Sequence, residues 1–283
     1  MQRENRYIKA LVMAIAIVVC GLASVGTLSA QQAAMNAYSP YTMYGVGELG
    51  TWGNTINRSM GGTGVAMRST QMASLLNPAG YSATLPKSFM LEVGIEGNFL
   101  RNEQRKYSSS SIDKYTTAAN AKNTINFREI AVQMPIAKGL GFGFSLTPYG
   151  SVGYKMHTFE QSEDIWGTVG GVMYNYQGDG DVTEVKAGLG WEIFRGFSVG
   201  IAAKYYWGNI QHNYSSSIYG DYVGAGGFVS TIGLDDYAIS NFKFQVGLQW
   251  NMVATDKHLL TLGATYDYGG GLRPKVTKNI ALN

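Results

Sequence analysis

From Ser88 onward the chain alternates apolar and small or polar residues with a period of two wherever it is regular. Phe89, Leu91, Val93 and Ile95 alternate with Met90, Glu92, Gly94 and Glu96. The pattern returns over 129–136, 140–147, 185–193, 197–207, 243–252 and 260–266. Successive strand side chains point to opposite faces, so each run reads as a strand with one apolar and one polar face. Each is close to the ~9–11 residues that a tilted membrane strand needs. A soluble sandwich also alternates, with its apolar face as the core. Two features favour a membrane instead. Trp191, Tyr205, Trp207, Trp250 and Tyr266 lie towards strand ends on the apolar face, as aromatic girdles do. The other face is mostly Gly, Ser, Thr and Gln, as in a lumen. Charged residues are 14% of the chain, against about 25% in soluble domains. The expected fold is all-β, an antiparallel transmembrane β-barrel.

The charges obey the same parity. Glu92, Glu96, Glu129, Glu184, Lys186, Glu192, Lys204 and Lys243 fall on the lumen face, since a lipid-facing charge near the midplane costs roughly 2–4 kcal/mol. Arg128 breaks parity and is expected on the lipid face near a strand end, at the headgroups. Connections at 137–139, 195–196 and 254–257 are tight, whereas 101–126, 150–181 and 209–241 read as long loops. That asymmetry matches periplasmic turns and extracellular loops. Seven clear strands result, the odd-numbered ones running outward. Two further strands within 151–178 are an alternative reading. A closed bacterial barrel needs an even number, so the barrel is expected to be incomplete in this chain.

Three segments precede and include the barrel. Residues 1–30 read as a signal peptide, with Arg3, Arg6 and Lys9 before an apolar core. Residues 31–87 read as an N-terminal extension and hatch, and 88–283 as the barrel. Within the hatch, Gly61, Gly62 and Gly64 allow sharp turns. Ser69 to Leu76 is expected to form a short helix, with Met72, Leu75 and Leu76 on one face and Asn77-Pro78-Ala79 ending it. Arg58 and Arg68 are candidates to pair with inward glutamates, Glu92 and Glu96 foremost, and so to hold the hatch. Solvated arginines are the competing reading.

An arginine, a Gly-rich turn, an apolar helical piece and Asn77-Pro78-Ala79 directly before the first strand resemble the hatch of the FadL/TodX outer-membrane transporters. Tyr38-Ser39-Pro40-Tyr41 and the residues after it are similar to the Bacteroidota branch of that family. The resemblance implies half of a fourteen-stranded barrel in the Gram-negative outer membrane. It implies passive uptake of hydrophobic compounds such as long-chain fatty acids, gated at Gly61, Gly62, Gly64, Asn77, Pro78 and Ala79. Membrane lipid and lipopolysaccharide would be its surroundings, and envelope proteins candidate partners. The alternative from another class is a non-transporting barrel subunit of a secretion or assembly complex. A filled lumen, with exposed aromatic loops such as 218–228, would favour it over transport.

Little in the sequence points to chemistry. His157, His212 and His258 are far apart, and no serine–histidine set with an orienting group is evident. The only cysteine, Cys20, lies in the leader. Gly178-Asp179-Gly180-Asp181 reads as a loop turn in preference to a calcium loop. Without residues 1–30 the positive excess falls from three charges to one, which gives no case for nucleic acid. No enzyme activity, cofactor or metal is expected.

Overall fold

The computed structural model describes residues 39–50, 52–107, 115–160, 171–219, 230–255 and 258–282. The expected signal peptide lies outside these residues, as does most of the 218–228 segment. Strand β1 is Glu48–Leu49, and a five-residue helix, α1, is Thr55–Ser59. A 3-10 turn covers Pro78–Ala83. The long strands follow: β2 (Met90–Tyr107), β3 (Tyr115–Ala137), β4 (Leu140–Glu160), β5 (Gly171–Phe194), β6 (Phe197–Tyr219), β7 (Thr231–Ala254), β8 (Leu259–Tyr268) and β9 (Lys275–Leu282). Every pairing is antiparallel, in the order β2-β3-β4-β5-β6-β7-β8. This is the expected all-β fold, seven strands curled as a half-barrel. β8 and β9 both pair with β7, at its two ends, so they act as one interrupted seventh strand.

The faces are inverted relative to a water-soluble protein. Leu91, Val93, Ile95, Ile201, Phe244 and Trp250 stand exposed on the outside. Inside, Lys186 is 2% exposed, Glu129 1% and Gln133 0%. Exposed apolar surface on this scale needs a nonpolar solvent, and a bilayer supplies it. Tight turns at Gly139 and Gly196 use positive φ (73° and 88°), with a register shift beside each.

The strands are longer than their alternation indicates. The segments expected as long loops are largely paired hairpins: β4 and β5 stay in register up to Glu160 and Val172, β5 and β6 up to Gly171 and Tyr219. Residues 151–178 therefore continue β4 and β5 and hold no extra pair of strands. Gly178 to Asp181 is strand, paired on both sides, where a loop turn was expected. The physical reason lies in the interior. Above the polar tier the lumen face turns apolar, with Val152, Tyr154, Val182, Tyr206, Ile210 and Ile239 forming a buried core against Met43 and Val46. The lipid–lumen contrast that writes period two into a sequence is lost there.

Arg128 is also not where parity puts it. Gly94 pairs with Glu129 but Ile95 with Phe127, so Arg128 is the extra residue of a β-bulge. The bulge turns its side chain inward, where it is 7% exposed and 3.5 Å from both Glu96 and Glu129.

Candidate functional site

The hatch occupies the polar tier of the lumen, and the wall is built to receive it. Gly141, Gly190, Gly200 and Gly247 are direct cross-strand neighbours on β4, β5, β6 and β7. They form a row without side chains on the lumen face. A Cβ at Gly141 would overlap the Tyr81 carbonyl, and one at Gly190 that of Pro78. At Gly200 it would overlap the Ala79 nitrogen, and at Gly247 the Asn77 side chain. The row is thus a seat for Asn77–Tyr81, and glycine is required there for close backbone approach.

An irregular segment buried in a barrel must find partners for its backbone groups. Wall side chains supply them. Gln133 accepts from the Ser74 amide (2.8 Å) and donates to Thr84 Oγ1 (2.7 Å). Lys186 donates to the Leu75 carbonyl at 2.7 Å, and Glu92 accepts from the Ala73 amide at 3.2 Å. Gln249 donates to the carbonyls of Val65 and Met67. These bonds explain why Ser69 to Leu76 is not the helix expected from its spacing: the wall satisfies its backbone in an irregular path of bends. Asn77-Pro78-Ala79 does not end a helix either. Asn77 caps the 3-10 turn, its Oδ1 accepting from the Ala79 amide at 3.0 Å, with Pro78 at the first position. Its Nδ2 donates to the carbonyls of Val65 (2.8 Å), Leu248 (3.0 Å) and Ala264 (3.4 Å).

The other candidates divide into two groups. Gly61 and Gly62 are exposed beyond α1, where φ of 73° and 82° ends the helix; Gly64 packs against Asn57. They do not share a site with Asn77, Pro78 and Ala79, which are buried on the glycine row. Arg58, in the last turn of α1, makes a bidentate pair with Glu96 at 2.7 and 2.8 Å. Arg68 lies 3.8 Å from Glu192 and donates to Ser198 Oγ. Burial lowers the Arg68 pKa, and the Glu192 carboxylate opposes that shift. Glu92 pairs with hatch backbone and Asn54, and forms no ion pair among the described residues. Burial, and then Glu184, raises the phenol pKa of Tyr81, whose ring lies over Gly143.

Sequence reasoning missed Gln133, Gln249, Ser198 and the partnership of Arg68 with Glu192. Gln133, Gln249, Ser198 and Glu192 are inward-facing polar residues of the wall, so parity marks them, but nothing local says that Gln133 and Gln249 meet hatch backbone while Ser198 and Glu192 meet Arg68.

The Arg58–Glu96 pair is testable by a double-mutant cycle with Arg58→Gln and Glu96→Gln, read by chemical unfolding. Both side chains are part exposed (31% and 22%), so coupling should be about 1 kcal/mol. Glu96→Gln should cost more than Arg58→Gln, because Arg128 also loses a counter-charge. No coupling would show that the pair is solvated in practice, and equal losses that Arg128 does not depend on Glu96.

Cavities remain around the hatch. One of about 320 Å³ is lined by Arg128, Glu184, Lys204, Lys243 and Asp267 among others, with Lys204 and Asp267 paired at 2.7 Å. Trp52, Val65, Leu75, Leu76 and Tyr206 share its lining with these five charged groups, so the cavity is of mixed character.

Fold, inverted faces and seated hatch together define a plugged outer-membrane β-barrel. A family model described as BamG matches residues 8–282, and the chain belongs to that family. Comparison with curated proteins and with solved structures finds no match. The family assignment corrects the resemblance to FadL/TodX and, with it, the expectation of fatty acid uptake. BamG denotes a component of an outer-membrane assembly complex. The chain is accordingly an outer-membrane protein; a hydrophobic small-molecule partner has no support.

Proposed function

We propose that this protein is a non-transporting barrel subunit of an outer-membrane assembly complex. The observation that carries the reading is the BamG match across residues 8–282. Two features support it. The polar tier of the lumen is taken up by a hatch held through its backbone, and a buried apolar core fills part of the tier above, beside a cavity of about 390 Å³. In this reading residues 1–30 are a signal peptide removed on export. The strands cross the membrane repeatedly, with the tight turns at Gly139 and Gly196 in the periplasm and the long hairpins outside. No catalysis is assigned to any residue; the protein acts by the surfaces that it presents to its partners.

Affinity purification from native outer membranes in mild detergent tests this directly. The expected result is co-purification with assembly-complex subunits in fixed stoichiometry, and reduced levels of other barrel proteins when the protein is depleted. A bare barrel, with normal barrel biogenesis after depletion, would overturn the reading.

A further inference from the structure

Beyond the seat of the hatch, the outward end of the wall carries a tyrosine-lined cavity of about 390 Å³. Tyr44, Tyr154, Tyr176, Tyr214, Tyr237 and His212 are among the residues that line it. Two cross-strand rows build it. The first runs Tyr154, Gly178, His212, Asp235 and Lys278 across β4, β5, β6, β7 and β9. A Cβ at Gly178 would overlap the Tyr154 ring, so the bare position lets that ring lie across β5. There its hydroxyl shares a hydrogen bond of 2.7 Å with His212 Nδ1, and the two rings stack 5.8 Å apart. The Tyr237 ring meets His212 edge-on, at 5.5 Å. The second row, one pleat further out, runs Tyr176, Tyr214 and Gly233. A Cβ at Gly233 would overlap the Tyr214 ring, which therefore lies against β7 in the same manner. Tyr154, Tyr176, Tyr237 and Met43 also belong to or pack on the apolar core, which thus forms one side of the cavity. The one carboxylate of the described lining, Asp235, is paired with Lys278 at 3.2 Å.

The height of the cavity sets its solvent. Tyr205, Trp207 and Phe242 cluster on the outer face of β6 and β7, as a girdle does. His212 lies five residues beyond Trp207 on β6, roughly 12 Å further out along a tilted strand. The outer side chains at that height are polar, with Asp179, Gln211 and Asp236 as cross-strand neighbours. In the orientation proposed above, the cavity therefore stands in water beyond the bilayer. Three ligand classes meet such walls differently. A hydrocarbon offers nothing to the phenols, the Asn213 amide or the imidazole. An organic cation would gain the tyrosine faces, but Lys278 already neutralises the carboxylate and sets a like charge beside the site. A pyranose matches both parts of the lining. Its C–H face packs on a tyrosine ring, and its hydroxyls exchange hydrogen bonds with phenols, amide and imidazole. The volume also falls in the ~300–1,000 Å³ range of small-molecule sites. We propose that this cavity is a glycan-binding site, in which a pyranose ring stacks on Tyr176, Tyr214 or Tyr237 and hydrogen-bonds to His212 and Asn213. The sugar portion of lipopolysaccharide and a glycan on a surface protein both present that chemistry. The site goes beyond the assembly-subunit reading and takes from it only the orientation of the barrel.

Titration of the purified full chain tests it, in a detergent without a sugar headgroup and read by tyrosine and tryptophan fluorescence. One probe is the oligosaccharide released from lipopolysaccharide by mild acid. The second is the glycan pool released from surface proteins by alkali, and the third is tetramethylammonium chloride, for the rival cation. Heat-modifiable gel mobility establishes that each variant is folded. The expected result is saturable binding of at least one oligosaccharide probe, and the probe that binds identifies the source. Tyr214→Ala should weaken that binding roughly tenfold or more, and so should Gly233→Ala, which displaces the same ring without removing it. Tyr205→Ala, on the lipid face, should bind as the unaltered protein does. Saturation by tetramethylammonium alone, no saturable binding of either oligosaccharide, or equal binding by all variants would overturn the inference. The two failures are distinguishable. Loss of co-purifying subunits sinks the functional reading and leaves this titration untouched, whereas intact co-purification with no oligosaccharide bound sinks the glycan site alone.

Discussion

Gly200→Val is expected to drive the hatch off the wall while leaving the strand ladder standing. The side chain of residue 200 points into the lumen, and its first atom already overlaps the backbone of Pro78 and Ala79. Neither partner can turn away, because both belong to main chain fixed by the Asn77 cap and by the Asn77 bond to the Leu248 carbonyl of the wall. The cost should be about 3 kcal/mol, at the upper end for overpacking, because backbone meets backbone. The ladder partners Gly190 and Gly247 keep their bonds, since those do not depend on the side chain. Limited proteolysis after folding should cut the hatch near Gly61–Gly64 while the barrel keeps its heat-modifiable mobility. Gly97→Ala is the control, because nothing lies within 4 Å of an added Cβ there. Unchanged protection of the hatch in Gly200→Val would show that the glycine row is not a seat.

This result bears on how far the sequence could be read. The lower halves of the strands were legible because two solvents act on them: lipid selects Leu91, Val93 and Phe244, and the lumen selects Glu92, Lys186 and Gln245. The upper halves were not, because Val152, Val182 and Ile210 face an apolar interior and period two disappears. Arg128 was misplaced because a bulge shifts parity by one residue, and a bulge has no signature in composition. The stretch Ser69 to Leu76 had helical spacing, yet tertiary contacts to Gln133, Lys186 and Glu92 outweighed it, since propensity is a weak prior. For Asn77-Pro78 the signal was present and its other sense applied: the same pair that stops a helix also starts one.

The misassigned family has a physical explanation of the same kind. The motif from Arg58 to Ala79 records how a plug is seated in a barrel. A bare backbone row needs Asn-Pro-Ala-Gly pressed onto it, and a turn of glycines is needed to bring the chain there. Any barrel with such a plug meets those demands, whatever it carries or assembles with. Fold and plug are therefore shared ground, while function resides in the surfaces a barrel presents, which the linear pattern does not expose.

Asn77 gives the sharpest test of the hatch, because its two side-chain atoms have opposite duties. Oδ1 accepts from the Ala79 amide, and Nδ2 donates to the carbonyls of Val65, Leu248 and Ala264. Asn77→Ala removes both functions in a buried place, leaving the Ala79 amide and wall carbonyls short of partners; about 2–3 kcal/mol should be lost. Asn77→Asp keeps the cap and nearly the same volume, so by size alone it would be the milder change. The expected order is the reverse. An aspartate puts a second oxygen against three carbonyls, and that position has no proton to offer unless the acid is neutral. Its loss should exceed that of Asn77→Ala at neutral pH and shrink as pH falls through the range where the acid protonates and donates again. Urea unfolding of the two variants at neutral and acid pH measures the order. If Asn77→Asp is the more stable of the two at neutral pH, the three carbonyl bonds do not hold the hatch and its capping bond alone does.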